Sequence, residues 1–142
     1  MDEGVMIKVL YVDDEADSEK MASKFEMMCT MGVETIPVTH VDAVLPKIKE
    51  MGDEIKLLVL DIIMPPEDFY SLEETSGGTS TGIRLLKDIR DSYPTLPILI
   101  VSVRRIGDIE TQYDVKDYLE KPVSAYKVAS TIKRIVSGVG TD

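Results

Sequence analysis

The sequence is poor in several features that mark common classes of protein. It has one cysteine, Cys29, among 142 residues, which excludes an intramolecular disulfide and favours a reducing compartment. Cys29 lies in an apolar helical pattern, so we expect it to be a small core residue. No N-terminal stretch resembles a signal peptide, and no apolar run approaches the ~18 residues that span a bilayer. We therefore expect a cytoplasmic protein without membrane insertion.

Basic residues are scarce relative to acidic ones. The 26 acidic and 16 basic residues give a formal net charge of −10. This surplus disfavours binding to nucleic acids and to anionic lipid surfaces, because both depend on lysine and arginine. We expect no direct nucleic-acid partner. The one histidine, His40, has no evident partner in the sequence and is given no role.

Apolar segments of two kinds alternate along the chain. Short continuous apolar runs predict strands buried on both faces, and between them apolar residues recur at helical spacing. This alternation predicts parallel strand–helix–strand units with right-handed crossovers in one α/β domain, 1–142. The predicted strands are 7–12, 33–38, 57–61, 98–101 and 115–119.

The predicted helices differ in the strength of their pattern. The first ends near Gly32, and the second contains Pro46, so we expect the second to be short or irregular. The third ends near Tyr93. Segment 104–113 has weak periodicity and is the least certain element. Ser124 is placed to cap the last helix.

Carboxylates follow two of the predicted strands. Asp13 and Asp14 come directly after the first strand, and Asp61 closes the third. In an open α/β sheet, ligands bind beyond the carboxyl ends of the strands. Carboxylates gathered at one edge repel one another unless a hard cation or a proton intervenes. The sequence therefore predicts a divalent metal site with a carboxylate that can react.

Ser102 follows the fourth predicted strand and Lys121 the fifth, with Pro122 next. Taken in order, these strand ends resemble the receiver domain of two-component response regulators, of the single-domain chemotaxis type. The resemblance covers nearly the whole chain. It rests on the stretches VLYVDDE (9–15), LLVLDIIMP (57–65), ILIVS (98–102) and DYLEKP (117–122).

The resemblance implies a flavodoxin-like fold, a doubly wound five-stranded parallel sheet of order 2-1-3-4-5 with helices on both faces. It also implies that Asp61 is the phosphoacceptor for a histidine kinase or phosphotransfer protein, in a magnesium-dependent reaction. Mg²⁺ would be held by Asp14, Asp61 and the backbone carbonyl of Ile63. Asp13 would lie nearby or bind the ion through water.

The same resemblance assigns partners to the phosphoryl group. Lys121 would pair with one phosphoryl oxygen, and Ser102 would donate its hydroxyl to another. As a switch, Ser102 would move toward the phosphoryl group and Tyr118 would follow from solvent to interior. The Lys121–Pro122 bond would be cis. The chain would not be an enzyme beyond slow self-dephosphorylation, and without an output domain it would signal by contact with an unknown downstream protein.

The sequence departs from the family pattern in three places. A loop insert at about 65–81 follows Asp61, and a long loop at this position suggests a lid or a partner-selecting loop. The segment between Ser102 and Lys121 is shorter than usual, which puts the fourth helix in doubt. Val103 stands where the family commonly has a small residue, so we expect slow phosphorylation.

Three other functions compete with this interpretation. A phosphatase of the haloacid dehalogenase type needs a second acid two positions after its nucleophile, where this chain has Ile63. A flavodoxin-like flavin carrier needs a Ser/Thr/Gly phosphate loop after the first strand, and the acids at 13–15 would repel the phosphate. A phosphorylation-independent docking module with the same fold is the alternative that stays open, because of Val103 and the short segment after Ser102.

Overall fold

A computed structural model describes residues 6–63, 81–103 and 112–138. The predicted insert and most of segment 104–113 lie outside the described residues. Strands and helices alternate as predicted through the fourth strand, and a helix again follows the fifth. The elements are β1 (Ile7–Val12), α1 (Glu19–Thr30), β2 (Val33–Val38), α2 (Val44–Met51), β3 (Leu57–Leu60), α3 (Thr81–Ser92), β4 (Ile98–Ser102), β5 (Asp117–Glu120) and α4 (Ala125–Ser137).

The strands form one parallel sheet in the order β2-β1-β3-β4-β5. The predicted order 2-1-3-4-5 is therefore confirmed. The register places Val12 beside Leu60 and Ser102 beside Glu120. Because neighbouring strands end at nearly the same level, the residues that follow β1, β3 and β5 and the last residue of β4 meet at one edge of the sheet.

Helices cover both faces of the sheet, which is the doubly wound arrangement. On one face Leu10 and Val12 of β1 pack in a core with residues of α2 and α3. On the other face Val9 and Tyr11 pack with residues of α1 and α4. Since both faces are covered, the central strands β3 and β4 are nearly continuous apolar runs rather than alternating ones. Burial of each large aliphatic side chain contributes about 1.5–3 kcal/mol to this packing.

The helix ends follow from local chemistry. Ser18 caps α1, and Ser124 caps α4 by accepting a hydrogen bond from the Lys127 amide at 3.0 Å, as predicted. Gly138 follows α4 with φ +74°, the left-handed conformation that glycine adopts without strain. Pro46 lies in the first turn of the short helix α2, where its missing N–H breaks no helical hydrogen bond.

Several boundaries differ from the prediction by one or two residues. β3 ends at Leu60, so Asp61 is the first residue after the strand, whereas β4 extends through Ser102. β5 begins at Asp117, two residues later than expected. Among the described residues, no helix is long and apolar enough to cross a membrane.

The prediction that Cys29 is a core residue is wrong. Its side chain is exposed, whereas Met21 and Met28 of the same helix are buried. One residue advances an α-helix by about 100°, so the position after Met28 is turned away from the sheet. The apolar stripe of α1 is thus narrower than the sequence pattern suggested.

Candidate functional site

The predicted site residues meet at the carboxyl edge of the sheet. Backbone hydrogen bonds hold the loops that carry them in line with the strands. The Asp13 amide donates to the carbonyl of Val38 at 3.1 Å, and the Asp61 amide donates to the carbonyl of Val12 at 2.9 Å. The Lys121 amide donates to the carbonyl of Ser102 at 2.8 Å. The ends of β1, β3, β4 and β5 therefore fix the positions of the site residues.

Asp61 is buried, with 6% of its surface exposed, and its carboxylate accepts three hydrogen bonds. Its Oδ1 accepts from the Ile63 amide at 3.0 Å and from the Ser102 hydroxyl at 2.9 Å. Its Oδ2 accepts from Lys121 Nζ at 3.1 Å. The carboxylate is therefore fixed in one orientation at the base of the site.

Lys121 connects Asp61 to a second buried carboxylate. Its Nζ also donates to Asp13 Oδ2 at 2.8 Å, and Asp13 is only 2% exposed. Asp13 Oδ1 accepts from the Glu15 amide at 2.9 Å. Asp14 is exposed, yet one carboxylate oxygen from each of Asp13, Asp14 and Asp61 lies within 4.8 Å of the others. Three carboxylates and one ammonium group thus share a small volume.

The charges in this cluster shift one another's protonation. Burial raises the pKa of Asp61, and nearby Asp13 adds to the rise, against the effects of Lys121, the Ile63 amide and Ser102. Partial desolvation raises the pKa of Asp14, followed by repulsion from the neighbouring carboxylates. Burial opposes the charge of Lys121, but its contacts with the two aspartates outweigh that effect and raise its pKa. When all three carboxylates are ionised, the single ammonium of Lys121 does not balance their negative charge.

This donor set fits a magnesium ion. Mg²⁺ prefers oxygen ligands, among them carboxylates, at about 2.0–2.1 Å. One carboxylate oxygen from each of Asp13, Asp14 and Asp61 lies within 4.8 Å of the others, close enough for the three groups to surround a single cation. One ammonium against three carboxylates leaves a charge that a divalent cation neutralises. The acidic cluster can therefore hold such an ion.

An open cavity of about 520 Å³ gives access to the cluster. Lys20, Lys24, Ile63, Val103 and Pro122 are among the residues that line it. The Val103 side chain is 56% exposed there. A larger cavity, of about 670 Å³, lies between α2 and the loop that precedes β4, and none of the predicted site residues line it. The acidic cluster and Lys121 therefore lie in the smaller cavity.

Helix α3 begins directly against the loop that carries Asp61. The Gly82 amide donates to the Ile62 carbonyl at 2.7 Å. A Cβ at Gly82 would lie 2.4 Å from the Cα of Ile62 and 2.5 Å from the carbonyl oxygen of Asp61. Only glycine permits this approach. This supporting role of Gly82 was not predicted from the sequence, although a glycine at the start of an amphipathic helix is a signal for close packing.

Two further features were expected from the resemblance: the switch residue Tyr118 and a cis bond before Pro122. Tyr118, expected to move inward from solvent, is 7% exposed and already packs in the core on the α2 and α3 face. Tyr118 lies on β5 beside Ile100. The Lys121–Pro122 bond is cis, as the resemblance implied.

No protein-family model matches this chain, and no curated protein matches it. Several solved structures are similar. A CheY-like response regulator receiver domain protein from Methanospirillum hungatei JF-1 aligns with a TM-score of 0.71 and 19% identity, over 94% of this chain and 95% of that chain. The chemotaxis protein CheY4 of Vibrio cholerae aligns with a TM-score of 0.69 and 21% identity, over 92% and 99%. A response regulator receiver domain protein from Clostridium thermocellum aligns with a TM-score of 0.69 and 19% identity, over 94% and 96%.

Identities this low establish similarity of fold. They agree with the sheet order and with the resemblance drawn from the strand-end motifs. The chain has the fold of CheY-like response regulator receiver domains.

Proposed function

We propose that this protein is a phosphoacceptor module of two-component signalling. Asp61 takes a phosphoryl group from a phosphohistidine of a histidine kinase or phosphotransfer protein, and the phosphorylated form signals by contact with a downstream protein. The observation that carries the proposal is the environment of Asp61. Its buried carboxylate is oriented by Lys121 and Ser102, and it lies in an acidic cluster that fits Mg²⁺. The similar receiver structures support the same class of function.

The proposed reaction exchanges one bond to phosphorus for another. A carboxylate oxygen of Asp61 forms a bond to phosphorus as the bond between phosphorus and the donor's imidazole nitrogen breaks. The electron pair of the broken bond stays on that nitrogen, and the product is an aspartyl phosphate. Phosphoryl transfer of this kind depends mainly on positioning and charge compensation. The three hydrogen bonds to Asp61 supply the positioning.

The neighbouring groups would supply the charge compensation. Bound to Asp14, Asp61 and the Ile63 carbonyl, with Asp13 nearby, Mg²⁺ would offset the repulsion between carboxylate and incoming phosphate. Lys121, whose ammonium already lies against Asp61, would pair with a phosphoryl oxygen.

Two residues are proposed as the switch. The Ser102 hydroxyl, which now donates to Asp61, would turn to a phosphoryl oxygen instead. Tyr118 is proposed as the second switch residue from the resemblance. In this proposal the protein acts in the cytoplasm, with self-dephosphorylation as its one slow catalytic step.

The test of the proposal is intact mass spectrometry after incubation with Mg²⁺ and acetyl phosphate. We expect a gain of one phosphoryl group in the wild type. The gain should be lost with a magnesium chelator and in Asp61→Asn. The matched control is Asp53→Asn, an exposed acid outside the acidic cluster, which should be phosphorylated like the wild type.

Beryllofluoride titration guards against a short-lived phosphoryl group, because the mimic does not depend on turnover. The absence of both a mass gain and beryllofluoride binding would overturn the proposal. That result would favour the phosphorylation-independent docking module.

A second prediction concerns the mouth of the cavity. We expect Val103→Ala to raise the rate of phosphorylation by acetyl phosphate by about two- to tenfold, because it removes a branched side chain at the entrance. Stability should change by less than about 0.5 kcal/mol, since Val103 is exposed. Val103→Thr, which keeps the branched shape, is the matched control and should not speed the reaction. Equal rates for the alanine variant and the wild type would contradict the crowding hypothesis.

A further inference from the structure

Lys24 joins helix α1 to the loop between β5 and α4. Its Nζ donates a hydrogen bond to the carbonyl oxygen of Val123 at 3.1 Å, across 99 positions of sequence. The bond is partly buried, and the Val123 side chain packs against the core formed by α1, α4 and the sheet. A hydrogen bond to an ammonium group is stronger than one between neutral groups. This bond therefore restrains the loop relative to α1.

The restrained loop is the one that carries Lys121. Before Lys121, the backbone is anchored to β4 through the hydrogen bond from its amide to Ser102. After Lys121 comes Pro122, which has no N–H to donate. Two residues after Lys121, the Val123 carbonyl accepts the hydrogen bond from Lys24. Ser124 then caps α4. The bond from Lys24 thus fixes the stretch between the sheet anchor and the helix cap.

The charge of Lys24 also interacts with the charged groups of the site. It lines the same cavity as Lys20 and Lys121. Burial lowers the pKa of Lys24, and the positive charges of Lys20 and Lys121 lower it further, while Asp13 opposes the shift. Its ammonium therefore interacts with the charges of the site although it is bonded to the loop. Any test must separate this charge from the hydrogen bond.

We propose that Lys24 is a positioning residue that holds the Lys121–Val123 loop, so that Lys121 Nζ faces both Asp13 and Asp61. The inference deepens the proposed function, because Lys121 is there the group that pairs with the phosphoryl oxygen. Lys24 itself touches neither carboxylate in this arrangement. Its effect on the reaction passes through the backbone of the loop.

The experiment compares two lysine-to-methionine variants of α1. Lys24→Met removes both the charge and the bond to Val123 but keeps an apolar stem. Lys20→Met removes a charge from the same cavity and leaves that bond intact. Lys24→Arg keeps a cation and a donor and tests rescue. Far-UV circular dichroism and urea unfolding establish that each variant is folded, and Lys24→Gln replaces Lys24→Met if the latter does not fold.

The first readout is hydrogen exchange of the Lys121 backbone amide in the protein without added metal. We expect Lys24→Met to accelerate this exchange about tenfold, which corresponds to the loss of one charge-assisted hydrogen bond. Lys20→Met should leave it unchanged, and Lys24→Arg should restore most of the protection. Equal exchange in the two methionine variants would overturn the inference.

The second readout separates the maximal rate of phosphorylation by acetyl phosphate from the KM of that donor. We expect Lys24→Met to lower the maximal rate about tenfold, because Lys121 is less well placed. Lys20→Met should change only KM, through weaker attraction of the anionic donor. Faster exchange with an unchanged maximal rate would show a structural tether without the positioning role and would also overturn the inference. If the wild type is not phosphorylated at all, the proposed function fails, while the exchange comparison still decides whether Lys24 holds the loop.

Discussion

Gly82→Ala will lower the free energy of unfolding by about 3 kcal/mol or more, because it forces a side chain into space occupied by backbone. The new Cβ would lie 2.4 Å from the Cα of Ile62, 2.5 Å from the carbonyl oxygen of Asp61 and 2.9 Å from that of Ile62. No change of rotamer relieves contacts with main-chain atoms, so α3 or the Asp61 loop must move. Urea unfolding measures the loss. Any folded fraction should be phosphorylated slowly, since the displaced loop carries Asp61, the proposed phosphoacceptor.

Gly138→Ala is the matched control for this variant. Gly138 has φ +74° and no atom within 4 Å of an added Cβ, so its substitution tests conformational freedom without a steric clash. We expect it to cost about 1 kcal/mol. Similar losses for the two variants would show that the start of α3 can shift away from Asp61 at little cost.

The next largest effect is expected for Lys121→Met. Without the ammonium, the buried carboxylates of Asp13 and Asp61 face each other with no opposing charge. Breaking a fully buried pair costs about 3–5 kcal/mol, and with the Lys121 side chain 28% exposed we expect about 2 kcal/mol at pH 7. Phosphorylation by acetyl phosphate should fall by at least about 100-fold, as for other groups that stabilise transition-state charge.

The loss of stability in Lys121→Met should depend on pH. The pKa of Asp61 is raised in the folded protein, so its contribution to stability is fully present below the ordinary carboxylate value of 3.8 and is lost as the pH rises through the folded value. Removing Lys121 raises that pKa further and enlarges the loss. The pKa of Lys121 is raised above its ordinary 10.5, so its own contribution is constant between acid and neutral pH.

The difference in unfolding free energy between wild type and Lys121→Met should therefore be small at the acid end and grow toward pH 7. Lys8→Met is the control, because Lys8 forms an exposed pair with Glu54 at 3.0 Å and its loss should have little effect at any pH. A difference that does not vary with pH would contradict the assignment of the effect to the aspartates.

The sequence predicted the sheet and the residues at its carboxyl edge because both are encoded locally. β3 is apolar throughout and β1 is apolar except for Lys8, as expected for strands covered on both faces. Asp61 comes directly after β3 and Lys121 directly after β5, and the carboxyl ends of parallel strands meet. The position of Asp61 and Lys121 immediately after a strand was therefore sufficient to predict that they lie close together.

The contacts that support the site were not predictable in the same way. The hydrogen bond from Lys24 to Val123 joins residues 99 positions apart, and the hydrophobic pattern of the sequence does not predict it. The close approach of Gly82 to Asp61 depends on where α3 begins after an insert of unusual length. Cys29 was misplaced because adjacency to Met28 in an apolar pattern does not fix which way a helical side chain points. Such features depend on tertiary geometry rather than on residue type.

The exposed thiol on α1 has a consequence for the behaviour of the protein in solution. Cys29 is the one cysteine of the chain, so oxidation can join it only to another molecule. Two copies linked in this way would be joined through their α1 helices, whatever the state of Asp61. With reductant present, the same thiol accepts a single dye at one defined position. In a protein that contains no tryptophan, a dye there reports events at α1 by fluorescence without any change to the site.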